Sequence, residues 1–194
     1  MKNIILATHN AHKVEEMSAI LGDAFNIESL DDLEFTQEIP ETGLTFQANA
    51  KQKANFVYQQ FQRDCMADDT GLEVEALHGE PGVYSARYAG EPANSENNIA
   101  KLLSELKGKT NRKAQFRTVI ALIYDNKTYF FEGSISGEIT ESPRGTNGFG
   151  YDSIFMPEGY EQTFGELDAE IKNTISHRGR AIEKLVKFIN EKQT

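Results

Sequence analysis

Residues 3–22 read NIILATHNAHKVEEMSAILG, and this stretch decides the fold. Ile4, Ile5, Leu6 and Ala7 form an apolar run as long as a short buried strand. Val14, Met17, Ile20 and Leu21 then recur at helical spacing up to Gly22. Asn10 stands where a helix N-cap belongs and Gly22 where a C-terminal stop belongs, so the stretch reads as strand, loop, helix. The first amide groups of such a helix face the loop that carries Thr8 and Lys13, and a helix N-terminus attracts anions. Lys13 stands against the usual charge preference of that end, which favours an anionic ligand, although a single lysine is more commonly a solvated surface residue.

Outward from this stretch the pattern repeats with variations. A second strand is expected near Phe25 to Leu30. A second helix follows whose inward face carries Ala50, Ala54, Val57 and Phe61, with Lys53 beside it. Cys65 to Asp68 reads as a short buried strand ending in two carboxylates, and Leu72 to Leu77 as a strand with one wet face. Residues 79–90 read as loop. A third helix runs from Asn94 to Gly108, and two β-rich segments around Asp125, Asn126 and Lys127 read as a hairpin. A glycine-rich loop spans Gly145 to Gly150, Ser153 to Phe155 is a short strand, and the last helix starts near Ser176. Strands connected by helices, plus a hairpin, predict an α/β fold with a mixed central sheet and flanking helices.

Composition bounds the function. At 194 residues the chain is long enough for one domain, or one domain of two lobes spanning residues 1–194, with a real core. Lys and Arg number 20 against 30 Asp and Glu, a net charge of −10 that argues against broad nucleic-acid or anionic-membrane binding. The apolar run of residues 4–7 is too short for a signal-peptide core or a membrane span, so a cytoplasmic location is the default expectation. Cys65 stands alone, which rules out an internal disulfide and reads as a small buried hydrophobe.

An acidic protein that binds a polyphosphate needs a local cluster of donors and a divalent cation. Four polar segments could supply them: Thr8–Lys13, Glu41–Gly43 with Lys53, Asp68–Gly71, and Phe149–Asp152 with Lys172, His177 and Arg178. Asp68 and Asp69 lie where α/β proteins place ligands, and Mg²⁺ prefers carboxylate and phosphate oxygens; adjacent residues of an extended chain point to opposite faces, so only one is expected to serve a given pocket. The segment could equally be a turn. Glu41 before Thr42 and Gly43 could be a ligand or part of a loop capped by Thr42 or Thr45. Phe149, between Gly148 and Gly150, has no neighbouring side chain in sequence to pack against and so is available to stack on a flat ring, and Asp152 could accept a ring N–H; the alternative is an aromatic anchoring the loop. His177 and Arg178 could donate to a carbonyl oxygen or form a surface pair. His9, His12 and His78 have no spacing that suggests zinc.

Together these segments resemble the inosine/xanthosine triphosphate pyrophosphatase family. The resemblance runs through residues 7–13, 41–46, 67–72, 81–88, 148–152 and 176–179, in that order. It implies that Thr8, His9, Asn10, Ala11, His12 and Lys13 form a phosphate loop, with Lys53 and Lys172 adding positive charge around the triphosphate. It implies that Glu41 and Asp69 hold one Mg²⁺, with Asp69 the catalytic proton acceptor, and that Thr70 contacts substrate. Phe149, with Gly150 and Tyr151 beside it, would stack on the purine, and Asp152, His177 and Arg178 would read its edge. Two departures stand out, His12 where many members have glycine and Pro40 where many have an acid.

The same resemblance implies two α/β lobes with a nucleotide cleft between them and a cytoplasmic homodimer. The implied reaction hydrolyses non-standard purine nucleoside triphosphates (ITP, dITP, XTP) to the monophosphate and pyrophosphate, with no nucleic-acid or membrane partner. Two rival readings are a pyrophosphatase for other modified nucleotides and a non-catalytic nucleotide-binding module.

Overall fold

The computed structural model describes residues 2–22 and 25–193, and every candidate site residue lies in these ranges. Strand β1 (Lys2–Leu6) leads into helix α1 (Ala11–Leu21). The Asn10 side chain accepts the Lys13 N–H at 3.2 Å and so caps α1, a bond worth about 1 kcal/mol to a helix. Strand β2 (Phe25–Ser29) lies parallel to β1, with Ile4 opposite Ile27. Helix α2 (Phe46–Phe61) is capped by Thr45, which accepts from the Ala48 N–H. Strand β3 (Cys65–Val74), helix α3 (Ser95–Glu105) capped by Asn94, and strands β4 (Lys113–Tyr124) and β5 (Lys127–Ile139) follow. Strand β6 (Phe155–Pro157), helix α4 (Ala169–Ile175) and helix α5 (His177–Gln193) complete the order.

The strands form one six-stranded sheet in the order β2-β1-β3-β4-β5-β6. Strand β1 is parallel to both neighbours and β5 is antiparallel to β6, so the sheet is mixed, as the helix-linked strands and the hairpin imply. The hairpin closes through Asp125 and Asn126, both left-handed at φ 49° and 61°. This is the two-residue turn whose twist matches its strands.

Two local expectations change. Cys65–Asp68 and Leu72–Leu77 are not separate strands. One ten-residue strand, Cys65–Val74, carries Asp68 and Asp69 in its interior, and Glu75–Leu77 is a short 3₁₀ turn. Cationic side chains from distant parts of the chain neutralise the two carboxylates, which removes the cost that would otherwise end a buried strand there. Likewise Asp152–Ile154 is a 3₁₀ turn, and the strand expected over Ser153–Phe155 begins at Phe155.

The chain divides into two compact units. One comprises residues 1–69, 118–133 and 178–194. Its core gathers Ile4, Leu6, Met17, Leu21, Met66, Ile120, Leu122, Ile182, Leu185 and Ile189, each contributing about 1.5–3 kcal/mol when fully buried. The other comprises residues 70–117 and 134–177, and its core contains Leu72, Val74, Leu102, Leu106, Phe116, Ile135, Phe155 and Phe164. Among the described residues no helix is long and apolar enough to cross a membrane.

Candidate functional site

In the first unit the loop after β1 is held by its own side chains. The Thr8 hydroxyl accepts the Asn10 N–H at 3.1 Å, and His9 Nε2 meets the Gln37 carbonyl at 2.9 Å. Ala11 and His12 lie exposed on the first turn of α1, directly after the cap. Lys13 does not extend into solvent. Its ammonium donates to Asp68 Oδ1 at 3.0 Å, and burial lowers its pKa below the usual lysine range, with Asp68 opposing the shift.

Asp68 is fully buried and bound on both oxygens. Lys13 holds Oδ1, and Arg178 Nη2 donates to Oδ2 at 3.3 Å while Arg178 Nη1 donates to Glu16. Burial alone would raise the Asp68 pKa, but Lys13, Arg178 and Lys53 outweigh it and hold the carboxyl well below the ordinary range. Asp68 is therefore a fixed anion that orders Lys13 and Arg178.

Asp69 faces a different set of partners. Asn49 Nδ2 donates to its Oδ2 at 3.0 Å, and Lys53 Nζ lies 3.6 Å from its Oδ1. The same ammonium donates to Glu41, so two carboxylates converge on one buried cation. Burial raises the Asp69 pKa above the ordinary value, and Lys53, Lys13 and the Asn49 hydrogen bond offset only part of the shift. Lys53 moves the other way from Lys13: burial would lower its pKa, but Asp69, Glu41 and Asp68 raise it overall. Of the two adjacent carboxylates, Asp69 is thus the one shifted toward the protonated form.

Among the described residues no three or more His, Cys, Asp and Glu side chains are grouped to hold a metal. The donor set at Lys53 is two carboxylates within reach of one positive charge. Hard oxygen donors in that number suit Mg²⁺, which commonly takes one or two carboxylates and completes its shell with waters and substrate phosphates. Glu41 and Asp69 therefore fit the group.

In the second unit Asp152, Lys172 and Phe149 are packed together. Asp152 Oδ2 accepts from Lys172 Nζ at 2.6 Å and from the Phe149 N–H at 2.7 Å. The Lys172 ammonium also lies 5.1 Å from the Phe149 ring centroid, within cation–π range. Phe149 therefore has a side-chain neighbour, contrary to the expectation of a ring with nothing beside it, and it remains half-buried. Gly148 has φ +74°, and a Cβ there would lie 2.1 Å from Asp152 Oδ2. Glycine is the residue that lets the loop wrap this carboxylate. Gly150 borders open space, and buried Tyr151 donates its hydroxyl to the Ser85 carbonyl at 2.8 Å. His177 is buried with its ring stacked on Phe116 at 4.7 Å. Thr70 is half-buried where β3 enters this unit.

Several groupings differ from the sequence order. His177 and Arg178 are chain neighbours, but one ring packs on Phe116 and the other side chain anchors Asp68 and Glu16. Lys172, expected beside the phosphates, pairs with Asp152. The local sequence does not single out Asn49, Glu16 or Phe116. Asn49 and Lys53 are one helical turn apart on the face of α2 that also buries Phe46, Ala50 and Ala54. Two polar residues spaced i, i+4 within an apolar face were the available signal.

A family model described as the Ham1 family matches residues 4–188. A Flavobacterium johnsoniae protein named dITP/XTP pyrophosphatase is 51% identical over 96% of this chain and 97% of its own length. A Porphyromonas gingivalis protein of the same name is 50% identical over 97% of this chain and 98% of its own. The solved structure of a Ham1 protein from Coxiella burnetii superposes with a TM-score of 0.89 at 40% identity, covering 98% of this chain and all (100%) of that one. With its mixed sheet, its paired carboxylates on Lys53 and a match along nearly its whole length, the chain belongs to the Ham1 family.

Proposed function

We propose that this protein hydrolyses non-standard purine nucleoside triphosphates, ITP, dITP and XTP, to the nucleoside monophosphate and pyrophosphate. It acts as a Mg²⁺-dependent homodimer in the cytoplasm. The observation that carries the proposal is the convergence of Asp69 and Glu41 on Lys53. Relatives about half identical in sequence and named dITP/XTP pyrophosphatase support the choice of substrate.

Asp69 orients the attacking water and accepts its proton as the new O–P bond forms at the α-phosphorus. The bond from that phosphorus to the bridging oxygen breaks, and pyrophosphate departs with the bonding pair. Lys13 and Lys53 offset the negative charge of the phosphates, and Thr8, His9, Asn10, Ala11 and His12 shape the loop that receives them. Glu41 and Asp69 would hold Mg²⁺, which would supply neutralisation of phosphate charge. Phe149, followed by Gly150 and Tyr151, stacks on the purine ring, and Thr70 contacts substrate. Asp152, Lys172 and His177 set the hydrogen-bonding environment of the base. A buried site built to pair with a 6-keto group rejects the 6-amino group of ATP by about 10⁴-fold.

The test is a pyrophosphate-release assay over ITP, dITP, XTP, GTP, ATP and dUTP, with Mg²⁺ and with EDTA. The expected result is turnover of ITP, dITP and XTP that EDTA abolishes. Full turnover in EDTA would remove the metal from the mechanism. Release from dUTP alone would favour a different modified-nucleotide substrate, and release from none would favour a binding module.

A further inference from the structure

Asn49 is buried in α2 and bridges two parts of the candidate site. Its Nδ2 donates to Asp69 Oδ2 at 3.0 Å, and its Oδ1 accepts the Gly43 N–H at 2.7 Å. Gly43 lies two residues after Glu41, in the segment that Gln52 also holds by accepting the Thr42 N–H at 2.9 Å. One amide thus fixes the rotamer of the Asp69 carboxylate and the backbone of the segment that carries Glu41. The approach leaves no room for a side chain at residue 43, where a Cβ would meet Asn49 Oδ1 at 2.7 Å and the Ala48 Cβ at 2.8 Å.

We infer that Asn49 is a positioning residue that sets the spacing between Asp69 and Glu41 by bridging the first to the segment carrying the second, and that Gly43 is glycine because the bridge requires it. The inference rests on the proposed role of those two carboxylates. An asparagine amide suits the task because it donates and accepts at once, with Nδ2 toward a carboxylate and Oδ1 toward a backbone N–H. Partners of this kind are typically worth 10–100-fold in activity or metal affinity when removed.

The test uses the full chain with Asn49→Ala, Asn49→Asp, Gly43→Ala and Asp69→Asn. Readouts are kcat and KM for ITP, Tm, and Mn²⁺ binding followed by its electron paramagnetic resonance signal. Expected for Asn49→Ala is a fall in kcat of about 10- to 100-fold and weaker Mn²⁺ binding of the same order. KM should stay within about threefold, because the amide touches the carboxylate and not the nucleotide. Asn49→Asp keeps the volume and removes the donor, so it carries the test if the alanine variant does not fold, and its kcat should fall too. Gly43→Ala, which leaves Asn49 in place but obstructs the bridge, should change kcat in the same direction. In the Asp69→Asn background Asn49→Ala should cost nothing further. Wild-type kcat and Mn²⁺ binding in both Asn49 variants would overturn the inference, as would a loss in Asn49→Ala that adds fully to that of Asp69→Asn. An active Asp69→Asn would instead overturn the proposed chemistry, and the two failures are thereby distinguishable.

Discussion

Asp68 and Asp69 are adjacent in one strand yet hold protons with opposite tendencies. Asp68 is held below the ordinary carboxylate range because Lys13, Arg178 and Lys53 outweigh its burial. Its contribution to stability is therefore present at pH values above its unfolded pKa of about 4 and is lost as pH falls through its lower folded value. Asp69 is raised, so its contribution has the reverse sign: stability declines as pH climbs from the unfolded value through the folded one. Removing each charge should thus give opposite results. Asp68→Asn leaves Lys13 and Arg178 without their shared counter-charge and should cost about 3–5 kcal/mol at pH 7, the usual penalty for breaking a buried pair. Its stability below pH 4 should also vary less with pH than that of the wild type. Asp69→Asn should lose turnover by orders of magnitude while its Tm at pH 7 is equal to or above that of the wild type. Thermal denaturation between pH 3 and 8, with parallel assays on ITP, checks both. A lower Tm for Asp69→Asn than for Asp68→Asn at pH 7 would contradict the assignment.

Loops and strand interiors show at the element scale what the sequence discloses. The Asn10 cap and the Asp125–Asn126 turn were legible, and Thr45 was one of two cap candidates, because each depends on residues within a few positions of one another. The interior of β3 was not. Two carboxylates look like a strand end until Lys13 and Arg178, 55 and 110 residues away from Asp68, are brought to it. The candidate phosphate loop was readable as a helix N-terminus, whereas the pairing of Lys172 with Asp152 depends on a fold that places α4 against the glycine-rich loop. That loop yields its own prediction. Gly148→Ala would put a methyl 2.1 Å from Asp152 Oδ2 at a φ of +74°. The loop must then shift, the bond from the Phe149 N–H must weaken, and KM for ITP should rise about tenfold while kcat for ATP stays negligible. Steady-state kinetics on the two substrates measures this, and an unchanged KM for ITP would separate Asp152 from substrate binding.

For the whole molecule the first consequence is electrostatic. A net charge of −10 opposes the approach of a triphosphate, and the screening length shrinks from about 30 Å at 0.01 M salt to about 10 Å at 0.1 M. At fixed free Mg²⁺, kcat/KM for ITP should hold level or rise over that range. A steep fall would show that the local lysines already govern capture at long distance.

The route of the chain through its two units carries another consequence. It passes from one unit to the other after residues 69, 117, 133 and 177, so the first unit is assembled from three separated segments. Its core needs Ile182, Leu185 and Ile189 beside Met17 and Leu21. During synthesis at about 5–20 residues per second, the ribosome takes roughly 5 to 20 s to proceed from residue 69 to residue 178. Throughout that interval the nascent N-terminal layer lacks the hydrophobic cover supplied by α5, and it closes only when that helix has emerged from the exit tunnel.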